Sequence, residues 1–169
     1  MHHCLDFQRI FDYAPPKEKI FPSKPLQALQ LRERVGCSET ERKAWSRTGV
    51  LIASRPSQGT GLHAEYDDAN LIAALIALEM KPLGITASRY GAAFSGLHQW
   101  LRSRSSLEWA QFRVVMTPEQ VRFQAARDPI PRGAQGFTID LAPLCAKISE
   151  APPAEDKQRL LRLPLGAVR

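Results

Sequence analysis

The stretch from Trp45 to Thr86 constrains this chain more than any other. It reads W-S-R-T-G-V-L-I-A-S-R-P-S-Q-G-T-G, then L-H-A-E-Y-D-D-A-N-L, then an apolar run that closes on L-G-I-T. A short helix stopped at Gly49 has to give way to Ser54–Gly61, a loop of turn residues that cannot pack a core. Asp67 or Asp68 then caps a new helix, whose apolar stripe is Leu71, Ala74, Leu75, Leu78 and Met80. Pro82 and Gly84 end that helix, and a further one is expected from Ala87 to about Arg102, with Tyr90, Phe94, Leu97 and Leu101 at helical spacing.

Upstream, prolines at 15, 16, 22 and 25 break residues 1–24 into an arm. Pro25 can open a helix at its first position; Ala28, Leu31 and Val35 line one side of it, and Gly36 stops it. Ser38 is a good N-cap, and Glu41 three residues later completes a capping box. The helix Glu39–Arg47 is expected to carry Trp45 inward and Arg42, Lys43 and Ser46 outward, with Val50, Leu51 and Ile52 as a short strand after it. Two helices joined by a tight turn and followed by a projecting loop are the plan of a winged helix-turn-helix.

The pattern changes beyond Arg104. Leu107 to Met116 is aromatic and β-branched, T-P-E-Q makes a turn at Pro118, and V-R-F-Q-A alternates, which together predict a β-hairpin. F-T-I-D-L supplies a third strand, and a short helix follows near Pro143 to Ile148. The expected class is therefore α+β. Its parts are an arm (1–24), a winged helix-turn-helix (25–104), a small β-containing dimerisation or sensing segment (105–149) and a flexible tail (150–169).

Charge is unevenly placed. The net charge is +6, and between Ser23 and His63 lie seven cations (Lys24, Arg32, Arg34, Arg42, Lys43, Arg47, Arg55) against Glu33, Glu39 and Glu41. From Ala64 to Met80 the order reverses, with Glu65, Asp67, Asp68 and Glu79 and no cation. Such a bias favours a polyanion on the helix–turn–helix half. Cys4, Cys37 and Cys145 are too far apart for a metal knuckle, and Cys37 reads as a small buried hydrophobe in a turn. His63 and His98 lack partners at ligand spacing, and no nucleophile elbow, phosphate-binding glycine loop or H-E-x-x-H is present. The chain is expected to be no enzyme and to use no cofactor or metal. No apolar run is long enough to span a bilayer and no secretory signal core opens the chain, so a cytoplasmic bacterial protein without membrane contact is expected.

From Leu26 to Leu101 the chain resembles the MerR superfamily of bacterial transcription regulators. Trp45, Arg47, Gly49 and Leu51 fall on that family's aromatic, basic, glycine and leucine positions, and Tyr66, Leu71, Leu83, Gly84, Ile85 and Thr86 fall on theirs. The chain departs from the pattern at Ala64, where the family carries a wing arginine, at Arg32, a small-residue position, and at Arg42, an apolar one. A hairpin begins where the family has a long antiparallel dimerisation helix.

The resemblance implies double-stranded DNA as partner. Ser38, Thr40, Lys43 and Arg47 would present the recognition helix to DNA. Ser54, Arg55, Gly59, Thr60 and His63 would form the wing, with Gly59 and Gly61 letting backbone amides approach phosphate. Tyr66 would either donate to a phosphate or seat the wing on the helix, and Trp45 belongs to the core. Trp100 and Trp109 suit a dimer seam or packing on the chain's own sheet. The expectation is a homodimeric, sequence-specific transcription regulator, nucleoid-associated when bound. A protein-interaction adapter with a degenerate winged domain, docking through its Leu-rich tail, and an excisionase-like architectural factor are the alternatives.

Overall fold

The computed structural model describes residues 25–57, 63–130 and 136–150. These form a mixed α+β arrangement of six α-helices and a three-stranded antiparallel sheet. In order come α1 (Ala28–Val35), α2 (Glu39–Arg47), α3 (Asp68–Met80), two 3-10 turns (Lys81–Leu83 and Ala87–Tyr90), α4 (Gly91–Arg102) and α5 (Ser106–Trp109). Strands β1 (Phe112–Met116), β2 (Val121–Ala125) and β3 (Phe137–Asp140) lead into α6 (Leu141–Glu150). None of the helices among the described residues is long and apolar enough to cross a membrane. The arm, the tail from residue 151, and Gly59, Thr60 and Gly61 lie outside the described residues.

Pro25 does not open α1. Leu26 is held in an antiparallel bridge to Tyr66, its N–H and C=O each bonded across at 2.8 Å, so the chain stays extended for two more residues. Gln27 then begins the helix, its N–H donating to Gln30 Oε1 at 2.9 Å. Gly36, with φ of 80°, closes α1 by donating to the Arg32 carbonyl, a conformation that a side chain would strain. Ser38 and Glu41 form the expected reciprocal cap on α2.

Val50–Ile52 is not a strand. The amides of Val50 and Leu51 both turn back to the Trp45 carbonyl, which uses up the donors a strand would need. Ile52 is clamped instead by the buried Asn70, whose amide accepts from Ile52 N and donates to Ile52 O, each at 3.0 Å. Asp67 caps α3 by accepting from Asn70 N, and Arg102 Nε donates to the same carboxylate at 2.8 Å.

The α3 helix is buried around most of its circumference rather than along one stripe. Ala69 through Ala77 are all enclosed, because α1, α4 and α6 pack around it and its alanines let them approach. The sheet has the order β2-β1-β3, with Val114 opposite Phe123 on one side and Ile139 on the other. Leu107 to Gln111 do not extend β1: Leu107 to Trp109 fall in α5, which Ser105 caps. Val114, Met116, Phe137, Leu141 and Leu144 join Leu31, Trp45 and Leu71 in one hydrophobic core, so the sheet and α6 are continuous with the helical part through packed side chains.

Candidate nucleic-acid interface

Thr40, Lys43 and Arg47 lie three and four residues apart on α2, and all three are exposed, as is Ser46 between them. Trp45 points the opposite way into the core. That division follows from the helical period: the face opposite the tryptophan has no apolar residue to bury. Arg47 makes no ion pair among the described residues. Lys43 lies 3.7 Å from Glu39. The Ser38 hydroxyl is committed to the cap, since it donates to Glu41 Oε2 at 2.7 Å and receives Glu41 N.

Arg42 does not point outward. Its side chain folds along α2 to Glu39, at 3.0 Å from Nε and 2.7 Å from Nη2, and its Nη1 donates to the Tyr66 hydroxyl at 3.1 Å. A guanidinium with two partners on its inner side is better satisfied there than in water. Tyr66 is itself buried. Of the two roles open to it, seating the following segment against the helix is the one this geometry fits.

Glu39 is the electrostatic centre of the surface. Besides Arg42 it approaches Arg32 of α1 at 3.4 Å and Lys43, and the Arg42 hydrogen bonds foremost hold its carboxyl down at about 2. Glu41 is likewise lowered to about 2, chiefly by Lys81, 2.7 Å away at the end of α3, and then by Ser38. Sequence reasoning missed Lys81 because its approach to α2 depends on how α3 lies.

The loop after α2 begins as a narrow hairpin. Arg55 and Glu65 form an antiparallel bridge, Glu65 N donating to Arg55 O at 2.9 Å and Ser54 N to Glu65 O at 2.9 Å. The Ser54 hydroxyl also donates to Glu65 O. Next along, Tyr66 pairs with Leu26, so the hairpin root, the entry to α1 and α2 meet at one place. Arg55 is exposed and has Glu65 Oε1 at 3.5 Å; Ser57 and His63 are exposed as well. Ala64 is half-buried against the core.

Two contacts fix the far end of α2. The Thr48 hydroxyl donates to the Ala44 carbonyl and lies 3.4 Å from Ser88 Oγ. Gly91 opens α4 so close to the Thr48 carbonyl that any Cβ there would collide with it. Arg102, another residue missed from sequence, donates to Ile52 O at 2.6 Å and to Asp67, tying the start of the hairpin to α4. Burial opposes ionisation of Asp67, but the bonds from Arg102 and Asn70 outweigh it and keep its carboxyl below the usual range.

Trp100 and Trp109 are both used internally. Trp100 stacks on Phe123, with ring centroids 4.0 Å apart, and meets Phe112 edge-on. Trp109 is buried and donates from Nε1 to Leu101 O at 3.2 Å. Cys37 is buried and Cys145 half-buried, and burial pushes both thiols upward. Among the described residues no three His, Cys, Asp or Glu side chains are grouped to hold a metal. Comparison of the chain with protein-family models and with curated proteins finds no match to either.

Proposed function

We propose that this chain is a DNA-binding transcription regulator of bacterial type, with a MerR-like winged helix-turn-helix. The observation that carries the reading is the meeting of three elements. A tight turn at Gly36–Ser38 joins α1 to α2, the Arg55–Glu65 hairpin follows, and the Arg42–Tyr66 hydrogen bond locks the hairpin root to α2. Thr40, Lys43 and Arg47 would enter the major groove from the exposed face of α2. Arg55, Ser54 and the loop beyond would meet the phosphate backbone. So few cations bind weakly from one copy, and pairing two copies on a two-fold site raises the effective concentration, so the regulator acts as a homodimer.

The charge pairing around α2 favours a second reading. Glu39 neutralises cations on the surface that DNA would need, and Glu65 stands beside Arg55. A winged domain neutralised in this way is suited to a protein partner instead. Binding-site selection from genomic fragments, followed by footprinting, separates the two. A protected promoter element at physiological salt supports the regulator; no enrichment of any duplex supports the adapter; protection at a recombination site would indicate an architectural factor.

A further inference from the structure

Three cations converge on one carboxylate at the start of α2, and the DNA-binding reading gives that convergence a purpose. Arg42 reaches Glu39 through two nitrogens, Arg32 comes from α1 at 3.4 Å and Lys43 from the next turn of α2 at 3.7 Å. Tyr66 also accepts from Arg42, so Glu39 is not the only partner that positions its guanidinium. Among the described residues, Arg32 and Lys43 have no other acidic partner and the buried Nε of Arg32 has no acceptor. The cluster is open to solvent: the Glu39 and Lys43 side chains are 39% and 64% exposed.

Carboxylate and phosphate oxygens accept from guanidinium forks in similar geometry. We propose that Glu39 is an internal competitor for a DNA backbone phosphate, its carboxylate occupying the space between Arg32, Arg42 and Lys43 that the phosphate takes in the complex. Protonation does not vacate the cradle near neutral pH, since Arg42 keeps the carboxyl ionised. Only another anion displaces it. The device works as a threshold. A phosphate held in place by a duplex whose groove fits α2 displaces the carboxylate, and one passing on a mismatched duplex does not, so Glu39 lowers non-specific affinity more than specific affinity.

The test is fluorescence anisotropy of the full chain on a labelled mixed-sequence duplex, across a salt series. Glu39→Gln should bind several-fold tighter than the parent, with its log–log salt slope steeper by about 0.9 for the one phosphate gained. Glu33→Gln removes the same charge from an exposed position of α1 that makes no ion pair among the described residues, and should change affinity less than about twofold, as exposed isolated charges do. Arg32→Ala should change the parent's affinity for this duplex little, since Glu39 still fills the cradle, and should cancel most of the gain in the double variant with Glu39→Gln. Unchanged affinity and slope in Glu39→Gln while the parent binds would overturn the competitor and leave the DNA reading intact. An equal gain from Glu33→Gln would also overturn it, by reducing the effect to net charge. No binding by either the parent or Glu39→Gln would remove both.

Discussion

Arg42 Nη1 donates to the buried Tyr66 hydroxyl at 3.1 Å, and this bond joins the exposed helix α2 to the root of the hairpin that follows it. It explains why an arginine can occupy an inward-leaning position of the helix without an unpaired charge, since Glu39 takes the remaining nitrogens.

Tyr66→Phe keeps the ring in the core and removes only the acceptor. Losing a hydrogen bond to a charged donor should cost about 1–2 kcal/mol, at the lower end because water reaches part of Arg42. Urea denaturation should show that loss with an unchanged m-value. DNA affinity should fall by more than the stability change explains, because the hairpin is no longer held against α2. Equal affinity in parent and variant would mean that the bond has no part in positioning the hairpin.

Gly91 is where α4 meets the end of α2. Gly91→Ala places a methyl group against the Thr48 carbonyl, and backbone on both sides has little room to yield. Overpacking of this kind costs about 1–3 kcal/mol. Thermal unfolding should show a correspondingly lower midpoint, whereas Ala92→Gly, at an exposed position one residue along α4, should cost only about 1 kcal/mol through helix propensity. Matching losses would show that the close approach is unimportant.

His98 is buried, and its Nε2 lies 3.0 Å from the Val50 carbonyl, which makes Nε2 the protonated nitrogen of a neutral ring. Among the described residues its Nδ1 has no partner. Burial lowers its pKa below the ordinary 6.5, against the Val50 bond, and nearby Arg102 lowers it further while Asp67 raises it. The unfolded chain therefore takes up a proton near pH 6.5 that the folded chain refuses, so stability is full above that pH and declines as pH falls below it. Glu39, Glu41 and Asp67 add their own losses only at lower pH, where unfolded carboxyls begin to protonate. Urea denaturation between pH 7.5 and 5 should show the decline in the parent and a flatter profile in His98→Gln. Parallel profiles would remove His98 as its source.

Local chemistry made much of this fold legible. Ser38 with Glu41, Gly36, Asp67 and the alternation of V-R-F-Q-A each act within a few residues, and the α+β class follows from them. What escaped depends on distant partners. Arg42 turns inward because Tyr66 lies beside it, and Val50–Ile52 gives up strand pairing because Asn70 binds Ile52. One apolar stripe on α3 could not reveal that α6 would cover another side. On the candidate surface, the outward placement of Lys43 and Ser46 was readable from helical spacing, and that of Arg42 was not. Nor was the convergence on Glu39, since Arg32 belongs to a different helix.

The proposed homodimer has its own test. Sedimentation equilibrium at micromolar concentration should give twice the chain mass of 18.9 kDa. A single species at the chain mass would leave the proposed winged domain to act alone, with correspondingly weak binding.

The most direct measurement of the central claim is the salt dependence of duplex binding by the parent chain beside Arg47→Ala and Arg55→Ala. Both residues are exposed and outside the core, so both variants should unfold like the parent. Parent affinity should fall steeply with salt, and each variant should bind several-fold more weakly with a slope shallower by about one if its arginine meets a phosphate. Parent binding that is absent, insensitive to salt, or unchanged in both variants would contradict the assignment of α2 and its hairpin to DNA.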